Sequence, residues 1–141
     1  MRGKLLATAI SAMLAVSVFA SGCGGGSKAS DEIKIGVVSE MTGSNATYGT
    51  SVVNGMKLAL KEVNDKGGVN GKKVSIVVAD SKSEPAEAAN AMSKLVNQDK
   101  TPVVMGIFTS SSAIAAANVS ESAKVPFLAI GATNPKVTLD D

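Results

Sequence analysis

The sequence predicts an α/β fold of the Rossmann-like, doubly wound kind, a parallel sheet with helices on both faces in the order β-α-β-α-β-α-β. Three observations carry that expectation. Four short apolar, β-branched runs recur along the chain. Each of the first three is followed by a segment with helical periodicity, the alternation that parallel sheets require. The runs are apolar throughout rather than alternating, as strands covered on both faces must be.

Taken in order, Ile33–Ser39 (IKIGVVS) reads as the first strand. The polar turn Thr42-Gly43-Ser44-Asn45 follows. Apolar residues then recur at Val53, Met56, Leu60 and Val63, one face of a helix that Ala59 widens. Gly67-Gly68 supplies its stop. Val74–Ala79 (VSIVVA) is the second strand. Ser83-Glu84-Pro85 opens the second helix, since proline suits a first turn, and Ala88, Met92, Leu95 and Val96 form its buried face. Val103–Ile107 is the third strand. Ser110-Ser111-Ser112 is expected to cap a third helix over Ala113–Ala123, whose alanines favour helix. Phe127–Ile130, announced by Pro126, is the fourth strand. The sequence ends at Asp141 without the helix that would cover a further crossover, so an incomplete domain is expected.

The start of the chain is of another kind. Residues 5–20 carry no charge and follow Arg2 and Lys4. A basic start, an apolar run and small residues have the layout of a secretory signal, and the run is short for a bilayer span. Ala20-Ser21-Gly22-Cys23 resembles a bacterial lipobox, which makes Cys23 the expected point of lipidation. The expected division is a lipoprotein signal peptide over 1–22, a lipidated cysteine and flexible Gly/Ser linker over 23–31, and one folded lobe over 32–141. The Gly-rich start after Cys23 resembles Gram-positive lipoproteins and implies the outer face of the cytoplasmic membrane. Asn45-Ala46-Thr47 and Asn118-Val119-Ser120 fit the glycosylation pattern, which has no role behind a bacterial lipobox.

Composition excludes several classes. Arg2 and Lys4 are two of 14 basic residues, and the remainder balance the 12 acidic ones exactly in number. No basic patch points to nucleic acid. There is no histidine, the commonest general base and metal ligand, and a single cysteine, so no intrachain disulfide. Without a histidine or a Gly-x-Ser-x-Gly elbow a secreted α/β hydrolase is disfavoured, and no cofactor or metal is expected. Only Tyr48, Phe108 and Phe127 are aromatic beyond the leader.

Ligands of open parallel sheets bind at the carboxyl ends of the strands, near the switch in strand order. Three segments there are rich in small hydroxyl residues and free of charge: Thr42–Tyr48, Thr109–Ser112 and Gly131–Asn134. Hydroxyls with helix N-terminal N–H groups suit a carboxylate or other small anion. Ser110–Ser112 also suit a helix cap, and Thr133-Asn134-Pro135 a turn. Asp80 is expected as a solvated acid at a strand end, and Met92 and Met105 as core.

Several stretches together resemble the amino-terminal lobe of the branched-chain amino-acid-binding proteins, the type I substrate-binding proteins of ABC transporters. They are IKIGVVSEMTGSNATYG, NDKGGVNGKKVSIVVAD, SEPAEAANAMSKLVNQDK, GIFTSSSAIAAA and VPFLAIGATNPKVT. The resemblance covers about residues 32–139. It implies the first lobe of a two-lobed periplasmic-binding-protein fold, which holds a ligand's α-carboxylate. By motif position Ser110 does this with the Gly131-Ala132-Thr133 group, Ser111 adds an N–H, and Tyr48 lines the pocket. The ammonium-binding acid belongs to a second lobe absent from these residues. Some relatives carry a disulfide where this sequence has Ser81–Ser83 and Thr109. Ala129-Ile130 departs from the Ser-Pro common in branched-chain binders.

The implied function is that of a non-enzymatic solute-binding lipoprotein of an ABC importer. Its partners are a small amino acid or related amide, the permease subunits, and the membrane through the lipid anchor. The alternative is an extracellular ligand-sensing domain of a signalling receptor with the same fold, which a following transmembrane helix or kinase would favour.

Overall fold

The structure, a computed structural model, describes residues 32–138. The leader, Cys23 and linker expected within residues 1–31 lie outside the described residues. The chain runs β1 (Glu32–Ser39), α1 (Ala46–Asp65), β2 (Lys73–Asp80), α2 (Pro85–Asn97), β3 (Val104–Gly106), α3 (Ser110–Ala123) and β4 (Phe127–Ala129), then a 3-10 turn, Pro135–Val137. The strands are parallel in the order β2-β1-β3-β4.

The main core lies between the sheet and the pair α2 and α3. Val38 and Val104 meet Ala88, Met92, Leu95, Ala113 and Ala116 there, with Ile107. The sequence periodicity located this face of α2, and Pro85 opens the helix as expected. At Gly36 a Cβ would lie 2.7 Å from the Thr101 hydroxyl, so the bare backbone lets the end of α2 settle on β1.

Among the described residues the opposite face carries α1 alone. Val37 of β1 and Val53 of α1 are buried, and the Ser39 hydroxyl donates to the Gly49 carbonyl at 3.2 Å. At the other end, Asn64 Nδ2 donates to the Val74 carbonyl (2.7 Å) while its Oδ1 accepts the Val74 N–H (2.8 Å). That amide satisfies the edge strand as a neighbouring strand would. Beyond it, Gly67 (φ +99°) and Gly68 (φ +79°) end the helix as expected.

Three expectations are corrected. Ala59 is exposed and Val63 is 36% exposed, so the stripe of α1 narrows to a buried Val53 with Met56 and Leu60 half-buried. A helix about 10 Å wide covers roughly two strands spaced about 4.8 Å apart. Among the described residues nothing covers this face over β3 and β4, and Leu128 is 57% and Ile130 41% exposed. The third and fourth strands are shorter than expected. Ile107 leaves the extended region at φ +58°, which ends β3 at Gly106, and β4 ends at Ala129. Finally, α3 begins at Ser110 with Thr109 as its N-cap. Ser110–Ser112 are its first turn, not its cap.

Candidate functional site

The order β2-β1-β3-β4 places the switch between β1 and β3, and the candidate site forms at their carboxyl ends. Tyr48 lies in the first turn of α1 rather than in the preceding loop. Gly49 sets that helix against the chain leaving β1, for a Cβ there would fall 2.1 Å from the Glu40 carbonyl oxygen. This close approach brings the Tyr48 ring onto Phe108, with centroids 4.4 Å apart and planes 3° from parallel. The pair is half open to solvent, Tyr48 at 53% and Phe108 at 38% exposure. Gly131 lies against Phe108, where a Cβ would come within 2.5 Å of the ring.

Beside this wall, Ser110 Oγ accepts the backbone N–H groups of Thr133 (3.2 Å) and Asn134 (3.3 Å). Its own proton remains available to a ligand. The first intrahelical bond of α3 runs from Ala113 N–H to Thr109 C=O, 3.0 Å. The N–H groups of Ser110, Ser111 and Ser112 therefore have no backbone acceptor. Ser111 and Thr133 are exposed on this edge. Ala132 is half-buried and its side chain packs against the main core, which leaves only its backbone for the edge. Asn134 opens the 3-10 turn, its Oδ1 accepting Lys136 N–H at 3.0 Å, so Thr133-Asn134-Pro135 is a turn as well as part of the edge.

Sequence reasoning did not single out Glu40. Its carboxylate is fully buried. Both oxygens accept Phe108 N–H (3.1 and 3.2 Å), and Oε1 also accepts Thr109 N–H (3.1 Å) and the Thr109 hydroxyl (3.0 Å). The hydroxyl-rich segments carry no charge themselves, yet a carboxylate lies directly beneath them. The one available signal was a charged residue immediately after an apolar strand.

Asp80 is also more than a solvated acid. Its carboxylate accepts Met41 N–H (2.9 Å), Thr42 N–H (3.2 Å), the Thr42 hydroxyl (2.7 Å) and Lys82 N–H (2.8 Å). Burial pushes its pKa up, but the hydrogen bonds from Thr42, Lys82 and Met41 outweigh that and hold it below the ordinary value. Ser83 adds to the lacing, accepting Asn45 N–H (3.0 Å) and donating to the Thr42 carbonyl (2.8 Å). The loop after β1 is thus tied on one side to the loop after β2 and on the other to the start of α3.

Among the described residues no group of three or more His, Cys, Asp or Glu is placed to hold a metal ion. No helix among them is long and apolar enough to cross a membrane. What the edge offers chemically is hydroxyl and N–H donors next to an aromatic wall.

Fold and edge together define an α/β binding lobe. The sequence matches the periplasmic binding protein family over residues 32–140, and the chain belongs to that family. It is 36% identical to an amino acid binding protein of Pseudomonas aeruginosa over 97% of this chain and 34% of that one. It is also 36% identical to the leucine-specific-binding protein of Salmonella typhimurium, over 77% of this chain and 29% of that one. Among solved structures it is similar to the branched-chain amino acid transporter substrate binding protein LivJ of Streptococcus pneumoniae, determined in complex with isoleucine. There the TM-score is 0.73 and the identity 42%, over 76% of this chain and 31% of LivJ. The leucine binding protein LivK of Thermotoga maritima gives a TM-score of 0.69 at 35% identity, over 75% and 29%. The chain thus spans about a third of the length of these relatives, all of them named as binding proteins and not as enzymes.

Proposed function

We propose that the chain is the first lobe of a lipid-anchored solute-binding protein of an ABC importer. It captures a small amino acid of the branched-chain type outside the cell, at the outer face of the cytoplasmic membrane, and passes it to the permease. The observation that carries this reading is the pairing of Ser110 Oγ with the N–H of Thr133 at 3.2 Å, beside first-turn N–H groups of α3 that no backbone acceptor takes. An α-carboxylate is the small anion that such a neutral donor set suits. Ser110, Ser111 and Thr133 donate to it, with the backbone of Gly131 and Ala132, and Tyr48 walls the aliphatic side. Hydroxyl and N–H donors without a fixed positive charge hold the ligand firmly only when water is shut out, which keeps release to the permease easy. The names of the relatives support the ligand class. Equilibrium dialysis of the whole protein against the common amino acids tests the reading. Saturable retention of leucine, isoleucine or valine is expected, and retention of none of the panel contradicts it.

A further inference from the structure

The turn that presents Phe108 and the start of α3 is held in an unusual conformation. Gly106 has φ +125° and Ile107 φ +58°. At Gly106 a Cβ would lie 2.0 Å from the Val38 carbonyl oxygen, so glycine is required there. Ile107 is fully buried and β-branched, and such a residue takes positive φ only where its surroundings over-determine it. One fixing bond is Ile107 N–H to the Val38 carbonyl at 2.9 Å. The others come from Glu40, whose carboxylate takes the next two N–H groups of the chain, those of Phe108 and Thr109, and the Thr109 hydroxyl. The Glu40 side chain accepts every one of these bonds, so a single buried group gathers three donors of the turn. The main chain of the same residue supports α1 through Gly49, and hence Tyr48. Both aromatic rings and the first turn of α3 are therefore referred to this one residue.

We infer that Glu40 is a positioning residue of the ligand edge. It touches no ligand. Its carboxylate pins the turn after β3 so that Phe108 stacks on Tyr48 and the N–H groups of Ser110–Ser112 are aimed before a ligand arrives. The inference rests on the ligand edge proposed above for the affinity it affects, and on the hydrogen bonds alone for the turn it holds.

The test is Glu40→Gln in the whole protein. The amide keeps the shape but has one acceptor oxygen in place of two: with that oxygen at the Oε1 position its NH2 group opposes Phe108 N–H, and turned the other way it opposes the Thr109 N–H as well. Residue-resolved amide hydrogen exchange should quicken at Phe108 and Thr109 by about tenfold or more, and affinity for isoleucine, leucine and valine should fall by about as much. Leu95→Ala is the control, because Leu95 is a fully buried apolar residue of α2 in the main core and none of the bonds to Glu40 involves it. It lowers stability at least as much, and should leave affinity unchanged and the exchange of Phe108 and Thr109 unchanged relative to the amides of the core. Should Glu40→Gln not fold, Thr109→Val removes the hydroxyl donor alone and should shift both readouts in the same direction by less. Unchanged exchange at Phe108 and Thr109 overturns the inference. So does an equal loss of affinity in Leu95→Ala, which would make the role one of general stability. If the unmodified protein retains no amino acid, the ligand reading fails while exchange still decides the role of Glu40.

Discussion

Ser110 and Thr133 are joined across the carboxyl-end edge of the sheet: the Ser110 hydroxyl, at the start of α3, accepts the backbone N–H of Thr133 at 3.2 Å and that of Asn134 at 3.3 Å. One side chain thereby fixes the loop after β4 to the helix after β3, on the side of the switch point away from α1. The donors that a carboxylate would meet are thus set relative to one another by the protein.

The aromatic wall depends on the absence of a side chain at Gly131. Gly131→Ala places a methyl 2.5 Å from Phe108 Cδ2 and 3.0 Å from its Cα, so the ring or the loop after β4 must shift and the stacking on Tyr48 is disturbed. The expected cost is roughly 1–3 kcal/mol. The near-UV circular dichroism of Tyr48, the one tyrosine in a chain without tryptophan, should change with it. Gly55→Ala is the counterpart. Nothing lies within 4 Å of a Cβ there, in the middle of α1, and the gain should be about 0.5–1 kcal/mol. A Gly131→Ala variant as stable as the unmodified protein, or a Gly55→Ala variant that is destabilised, would contradict the packing described.

Asp80 makes stability depend on acid pH. Its folded pKa is held below the ordinary 3.8, so the unfolded chain binds the proton more readily. The stabilisation is present in full above the unfolded value and is lost as pH falls through the folded one. Asp80→Asn should lower stability at neutral pH and flatten the acid limb below about pH 4. Urea unfolding midpoints across that range give the answer. Parallel acid limbs for the two proteins would mean that the four hydrogen bonds to Asp80 are not made in solution.

The sheet face not covered by α1 has a consequence for residues 23–141 expressed alone. Leu128 and Ile130 are open to water there, and exposed apolar patches favour association. These residues should self-associate at rising concentration, and Leu128→Lys should shift them toward monomer in light scattering. They should also show no specific amino-acid binding at micromolar ligand, because water competes for each hydrogen bond on an open edge. A monodisperse monomer that binds saturably would contradict both expectations.

The anchor is a separate matter of sequence. Cys23 is the single thiol, so Cys23→Ala should abolish incorporation of a labelled fatty acid. Equal labelling of the variant would remove the lipoprotein reading.

What was legible in the sequence follows from distance along the chain. The core face of α2 is a local pattern, and Ala88, Met92, Leu95 and Val96 are buried as their spacing indicates. Periodicity tells which residues share a face but not how much of it a neighbour covers, hence the exposed Ala59 and Val63 of α1. Ser110, Gly131 and Thr133 could be placed together because all follow strands whose carboxyl ends share one edge. Glu40 could not, since its partners are 68 and 69 residues away. Asp80 likewise bonds to residues 38 and 39 positions earlier. The conformation of Ile107 ends β3 early, and nothing in a β-branched residue announces a positive φ.

The most direct test of the central claim is a calorimetric titration of the whole protein with isoleucine, alongside Ser110→Ala and Thr133→Ala. The account predicts saturable binding to the unmodified protein. It predicts a loss of roughly 1–3 kcal/mol in each variant, because a carboxylate oxygen then lacks a donor in a closed cleft. Tight binding that neither substitution weakens would contradict it, and would reduce Ser110 and Thr133 to parts of a helix start and a turn.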